Sequence, residues 1–157
     1  SLAQDIDVAP TLLSALRVPV PQAMNGKSLL PLLERNANSD EQNASTPWRS
    51  ALYFHHHSFP EEQMVPRHYG IRTASLKLIH YYQFDEWELF DLAKDPEESL
   101  NLYENEAYQK RISGLRTQMS ALKNQYSDRT DPSVMPEEWR RIFRGPDARK
   151  NDQENAP

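Results

Sequence analysis

His68-Tyr69-Gly70-Ile71-Arg72-Thr73, Leu76-Lys77-Leu78-Ile79-His80-Tyr81-Tyr82 and Trp87-Glu88-Leu89-Phe90-Asp91-Leu92 follow one another with only Ala74-Ser75 and Gln83 to Glu86 between them. Each run alternates apolar and polar positions and is rich in β-branched or aromatic residues, the pattern of a half-buried strand. Connections this short cannot carry a crossover, so the three runs predict an antiparallel meander. Ser50-Ala51-Leu52-Tyr53-Phe54-His55 adds a further strand upstream, and Lys94-Asp95-Pro96-Glu97-Glu98 stops the last one with a turn.

Downstream, Tyr108, Ile112, Leu115, Met119, Leu122 and Tyr126 fall at intervals of three and four. That seam predicts one long helix over Glu106 to Tyr126, apolar on a single side. It is too short for the three or four heptads of a coiled coil, so it is expected to pack across the sheet. Beyond Ser127 the chain turns polar, and Arg140, Arg141, Arg144, Arg149 and Lys150 alternate with Glu137, Glu138 and Asp147. This reads as a solvated tail. Upstream, Asp7 to Leu16 reads as a short helix with Asp7 as its N-cap and Pro10 in the first turn. Its stripe of Ala9, Leu12, Leu13 and Leu16 needs a partner surface. Val18-Pro19-Val20-Pro21 ends that helix in an extended run, because residues before proline avoid the α region. Gly26 to Leu33 reads as a turn and a short apolar segment interrupted by Pro31. Asn36 to Thr46 holds almost nothing to bury and reads as a surface loop. The fold class is therefore α+β: about four antiparallel strands against one long C-terminal helix, preceded by a helical segment.

Composition narrows the function. The chain has 157 residues, 38% hydrophobic and 26% charged, with 12 prolines. Its apolar content is lean for a soluble domain, which averages about 45–50%. No stretch approaches the ~20 apolar residues of a membrane span, and no signal peptide opens the sequence. Ser1 is not a translation start, so sequence upstream is expected. Eighteen basic and 23 acidic residues give a net charge of −5, which argues against nucleic acid as a partner. The absence of cysteine excludes disulfides, thiolate metal sites and a cysteine nucleophile within the chain.

The histidines are the conspicuous polar feature. His55 and His57 flank His56 at a strand end, so their side chains share a face. That spacing suits two imidazole ligands of one metal, with Glu61, Glu62 or His68 as a third. It equally suits a solvated strand end or the lip of a substrate pocket, where histidine both donates and accepts near neutral pH. No Gly-x-Ser-x-Gly, phosphate-binding glycine loop or His-Glu-x-x-His occurs. Glu61-Glu62, Asp85-Glu86 and Glu97-Glu98 are adjacent pairs whose side chains diverge. Arg72, Lys77 and Asp91 read as strand surface charges and turn caps. Composition and spacing alone yield no reaction.

Several strings taken together resemble the late part of type I, formylglycine-dependent sulfatases. Asp5-Ile6-Asp7-Val8-Ala9-Pro10-Thr11-Leu12-Leu13, Val18-Pro19-Val20-Pro21 and Gly26-Lys27-Ser28-Leu29-Leu30-Pro31-Leu32-Leu33 look like the block that closes the large α/β catalytic domain of that family. The three strand runs, Lys94-Asp95-Pro96-Glu97-Glu98 and Asn101-Leu102-Tyr103 look like its small C-terminal subdomain. The resemblance covers residues 2 to 126 and is strongest to bacterial carbohydrate-type sulfatases of the alkaline phosphatase-like superfamily. It implies a division into 1–35, the end of the catalytic domain; 36–47, a surface loop; 48–126, the subdomain; and 127–157, a polar tail.

The resemblance also implies hydrolysis of a sulfate ester by a formylglycine nucleophile beside a calcium ion, with periplasmic or extracellular placement of the complete enzyme. The one string here that spells the Cys/Ser-x-Pro-x-Arg pattern from which formylglycine is made, Ser45-Thr46-Pro47-Trp48-Arg49, comes after the Asp-x-x-Pro-Thr block, at the end of the expected surface loop, whereas the metal-binding aspartates of the family precede that block. No catalytic or metal residue carries over. The partners it implies are an N-terminal catalytic domain and a sulfated carbohydrate, with neither nucleic acid nor membrane. By position, His68, Arg67, His55, His57 and Gln63 are the expected substrate-lip residues. Tyr53-Phe54-His55 stands where relatives commonly show Tyr-Tyr-Glu, and Gln63 where they commonly show His before Met-Val. These departures leave the sugar specificity open. Two alternatives stand beside the sulfatase reading: a non-catalytic module for sulfated glycans, and the C-terminal piece of a phosphodiesterase-type relative.

Overall fold

A computed structural model of the chain describes residues 2–37, 48–57 and 65–129. Strands β1 (Ala51–His56), β2 (His68–Thr73), β3 (Leu76–Tyr81) and β4 (Glu86–Asp91) form one sheet in the order β1-β2-β3-β4, every neighbouring pair antiparallel. The meander follows from its connections. Thr73 Oγ1 accepts from the N–H groups of Ser75 and Leu76 and so closes the β2–β3 hairpin.

The register sets one row of side chains across the sheet: Tyr53 opposite Ile71, Ile71 opposite Leu78, Leu78 opposite Leu89. Ile71, Leu78 and Leu89 are wholly buried. Against this row lies α3 (Gln109–Gln125), entered through a 3-10 turn at Glu106–Tyr108, and it contributes Ile112, Leu115 and Met119 to the same core. The expected seam is thus the packed one, with Leu122 and Tyr126 at its half-buried end. Asn105 caps the entry turn by accepting from the Ala107 N–H.

Asp91, expected as a surface charge or a turn cap, is buried. Its carboxylate accepts from the Tyr108 hydroxyl at 2.7 Å and ties the start of the helical segment to the end of β4. Hydrogen bonding from Tyr108, with Lys94 beside it, holds this carboxyl below the usual range. Asp95 is the turn-forming residue, accepting from the N–H groups of Ser99 and Leu100. The open edge of β4 is covered without a further strand: Leu102 N–H bonds the Leu89 carbonyl, and the Asn101 side chain meets Leu89 N–H and the Trp87 carbonyl. Covering an edge in this way removes a template for aggregation.

The N-terminal segment holds α1 (Val8–Ala15) and α2 (Leu30–Ala37). The second is a helix where an interrupted apolar segment was expected. Pro31 sits in its first turn, where a missing N–H breaks no intrahelical bond, so proline starts this helix instead of breaking it. The helix continues through 36 and 37, positions expected in the surface loop; 38–47 lie outside the described residues.

Asp7 does precede α1, but its carboxylate makes no capping bond to that helix. It accepts instead from the backbone N–H groups of Gln4 and Lys27 and from both terminal nitrogens of Arg49. Close approach at Gly26 makes this possible, since a Cβ there would sit 1.9 Å from the Ile6 carbonyl oxygen. Val8 and Leu12 on α1 and Leu16 just past its end form an exposed row, and Leu33 on α2 is exposed as well.

Candidate functional site

Strand pairing divides the histidines between two faces. His55 opposes Tyr69 and His56 opposes His68, so alternate residues of β1 point to opposite sides. His55 and His57 share the helix-bearing side, their rings 3.5 Å apart and tilted by 31°. His68 lies on the other side, stacked with His56 at 5.3 Å and tilted against Tyr81 at 5.2 Å, and its Nδ1–H donates to the Pro66 carbonyl. Arg67, half-buried, stands just before β2. The structure therefore brings His55 and His57 together and separates them from His68. Gln63, Glu61 and Glu62 lie outside the described residues, as do Arg140, Arg141, Arg144, Arg149 and Lys150. Among the described residues no three His, Asp or Glu side chains are grouped to hold a metal ion.

At the end of β1 a cleft of about 600 Å³ opens between Gln4 and Asn25 of the N-terminal segment and the chain leaving α3. Tyr53, His55 and His57 form one wall, Asp128 and Arg129 the other. The second wall exists because α3 ends in a tight turn. Ser127 takes a left-handed φ of 53°, and the N–H groups of Ser127 and Asp128 return to the carbonyls of Asn124 and Lys123. The reversal carries Asp128 back to β1.

Asp128 Oδ2 then accepts two bonds, from the Tyr53 hydroxyl at 2.5 Å and from His55 Nδ1 at 2.6 Å. A carboxylate can only accept, so the His55 proton resides on Nδ1 and Nε2 is left as an acceptor. Nε2 faces the Tyr82 hydroxyl at 3.3 Å. Burial lowers the His55 pKa and outweighs the opposing pull of Asp128, which favours the neutral ring. Burial, and then the Asp128 carboxylate, push the Tyr53 phenol well above its ordinary value. Tyr53, His55 and Asp128 thus form a satisfied polar cluster with one defined protonation pattern.

Asp128 escaped sequence reasoning. It is separated from His55 by 73 positions and sits in a polar stretch with no motif. The only local signal is the end of the apolar seam at Tyr126, which marks a turn but not the turn's partner. A second ring cluster lies further along the sheet, where His80 stacks on Trp87 at 3.8 Å and Arg116 covers the indole at 4.5 Å. It fastens α3 to the sheet.

Comparison with known proteins agrees with the fold. Residues 1–125 match the family described as N-sulphoglucosamine sulphohydrolase, C-terminal. The chain is 39% identical over 133 residues to an N-acetylglucosamine-6-O-sulfatase of Bacteroides thetaiotaomicron, covering 84% of this chain and 23% of that protein. It is 39% identical over 111 residues to an arylsulfatase of Clostridium perfringens, covering 70% and 20%. A solved structure described as bound to its substrate, D-glucosamine-2-N,6-O-disulfate, superposes with a TM-score of 0.72 at 38% identity, over 82% of this chain and 25% of that one. The chain thus spans about a quarter of the length of the relatives it matches. The meander, the helix laid across it and the matched strings together make this chain a member of the N-sulphoglucosamine sulphohydrolase C-terminal family.

Proposed function

We propose that the complete protein hydrolyses a sulfate ester on a carbohydrate and that this chain supplies subdomain packing and part of the substrate lip. The observation that carries the reading is the likeness to the N-acetylglucosamine-6-O-sulfatase, which runs through the strands that build the cleft. In this reading 1–35 ends the catalytic domain, 48–126 is the C-terminal subdomain, and 36–47 and 127–157 are connecting loop and polar tail. His55, His57, His68, Arg67 and Gln63 are the lip candidates. The His55–His57 side, open to the cleft, is the better placed of the two faces.

Among the described residues no acidic side chains are grouped to hold calcium, and Arg49, which closes the chain's one Ser-x-Pro-x-Arg string, is held in the ion pair with Asp7, so no chemical step is assigned to the chain. The contribution of the chain is binding and orientation. Imidazole and guanidinium groups on a rigid strand and turn can meet sugar hydroxyls and sulfate oxygens and hold the ester for attack from elsewhere.

The test is sulfate release from N-acetylglucosamine 6-sulfate by the complete protein and by the 157-residue chain alone. Turnover is expected from the first and not from the second, with or without calcium. Calcium-dependent turnover by the chain alone overturns the division of labour. Tight binding of a sulfated oligosaccharide by the chain, with no turnover by the complete protein, establishes a binding module instead.

A further inference from the structure

His55 and His57 line the same cleft, but their hydrogen-bonding states differ. His55 has both ring nitrogens engaged, Nδ1 with Asp128 and Nε2 with Tyr82. Its side chain is only 5% exposed. His57 is exposed, stacks on the His55 ring at 3.5 Å, and makes no hydrogen bond among the described residues. A ring with both nitrogens committed to the fold has none left for a ligand. A ring stacked on it has its plane fixed, and its donor and acceptor are uncommitted among the described residues.

We infer that His57 is the recognition residue of the cleft, and that Asp128, acting through the His55 ring, is its positioning residue. The order of contacts supports this. Asp128 and Tyr82 grip His55 from its two nitrogens, which fixes the orientation of the ring as well as its tautomer. The fixed ring is the surface against which His57 lies. Opposite, Arg129 follows Asp128 into the cleft wall and places a cation where an anionic substituent would enter. One imidazole that donates and accepts, facing one guanidinium, suits a sulfated sugar with a hydroxyl near its sulfate. Asp128 and Arg129 lie beyond the stretch matched to the family, so this wall adds to what the family match covers.

The inference rests on the sulfatase reading above, and a double-mutant cycle in the complete protein separates the two. Wild type and variants are assayed for hydrolysis of N-acetylglucosamine 6-sulfate, with binding of the same compound measured by calorimetry. Loss of a single substrate hydrogen bond predicts that His57→Ala raises KM and Kd about tenfold, with a smaller change in kcat. Asp128→Asn and Tyr82→Phe loosen the same ring and raise KM in the same direction. Neither adds to the defect of His57→Ala, because both act through the residue already removed. Thermal melts accompany each variant, and Tyr82→Phe retains the reading if Asp128→Asn does not fold. Multiplicative defects in the double variants overturn the positioning role. An unchanged KM and Kd in His57→Ala overturns the recognition role while the sulfatase reading stands. A wild-type protein that neither binds nor hydrolyses the sulfated sugar removes both.

Discussion

Asp7 and Arg49, 42 residues apart, meet in a two-pronged ion pair with N–O distances of 2.6 and 2.7 Å, and neither side chain is more than 6% exposed. The pair joins the start of α1 to the residues that lead into β1. Around it the chain folds back twice, at Gln4 and at Lys27, and both backbone N–H groups point to the same carboxylate. A buried charge of this kind is tolerated because every acceptor position is filled. Asp7 is therefore the hub of the N-terminal segment, and the orientation of that segment against β1 depends on it. The Gln4 amide also donates to the Tyr53 carbonyl, so the same segment closes the outer edge of β1 and one side of the cleft.

Breaking the pair from either end leaves an uncompensated buried group. Asp7→Ala and Arg49→Ala are each expected to cost about 3–5 kcal/mol, read from urea denaturation midpoints. Arg49→Lys should recover only part of this, because one ammonium cannot reproduce a two-pronged guanidinium contact. Full recovery by lysine would show that charge alone, not the fork, holds the segment.

Acid sensitivity follows from the same groups. Burial would raise the Asp7 carboxyl, but bonds from Arg49, Lys27 and Gln4 overcome it and hold the pKa below the ordinary 3.8. A depressed carboxyl contributes stability that is present above the unfolded value and lost as pH falls through the folded one. The histidines act earlier. Burial lowers His55, His68 and His80, so below pH 6.5 the unfolded chain takes up protons that the fold refuses. Denaturation midpoints measured from pH 8 to pH 2 should decline first between about pH 6.5 and 5, then again below about pH 4. Asp7→Asn should reduce the second decline, to which the depressed carboxyls of Asp85, Asp91 and Asp95 also contribute, and leave the first.

Gly70 is required by contact, not by backbone conformation. A Cβ at this position would lie 2.3 Å from Phe54 Cζ and 2.5 Å from the Leu78 carbonyl oxygen. The phenyl ring can move, but the carbonyl is part of the β3 backbone that pairs with Gly70. Gly70→Ala is therefore expected to lose about 1–3 kcal/mol by chemical denaturation. Shortening the ring with Phe54→Ala should rescue only the smaller share. Complete rescue would place the clash on the ring alone.

The parts of this molecule legible in its sequence are those governed by a local period. Alternation over 68–92 located three strands and the pairing order, because two short turns leave no other topology. The interval of the seam from Tyr108 to Tyr126 located the helix and the face it buries. What was hidden depends on partners distant along the chain. Asp7 has the right type and place for a helix cap, yet its carboxylate is claimed by Arg49, whose identity no local rule supplies. Asp91 has the local signature of a surface charge or turn cap, and only Tyr108 folding back on it buries it. Pro31 read as an interruption because a first-turn proline and an interior proline look alike before the helix start is known. For the cleft, the shared face of His55 and His57 was legible from period two, whereas Asp128 was not, since only the reversal after α3 brings it near.

The exposed row on α1 offers a test of what lies beside this chain in the complete protein. Leu12 is 60% exposed and Leu16 74% exposed, and Val8 continues the row at the same four-residue spacing. Leu33 on α2 adds to the exposed apolar surface at 58%. Isolated apolar residues are ordinary, but several on one short segment indicate a surface made to be covered. Leu16→Glu should change the stability of the 157-residue chain by no more than about 0.5 kcal/mol, while reducing its binding of apolar dye and its self-association. In the complete protein the same substitution should cost about 1.5–3 kcal/mol or more, the penalty for placing a charge where a leucine was buried. The contrast between the two backgrounds is the informative quantity. Equal and small costs in both would mean that the row faces solvent throughout, and the proposed contact with a catalytic domain would have to lie on another surface.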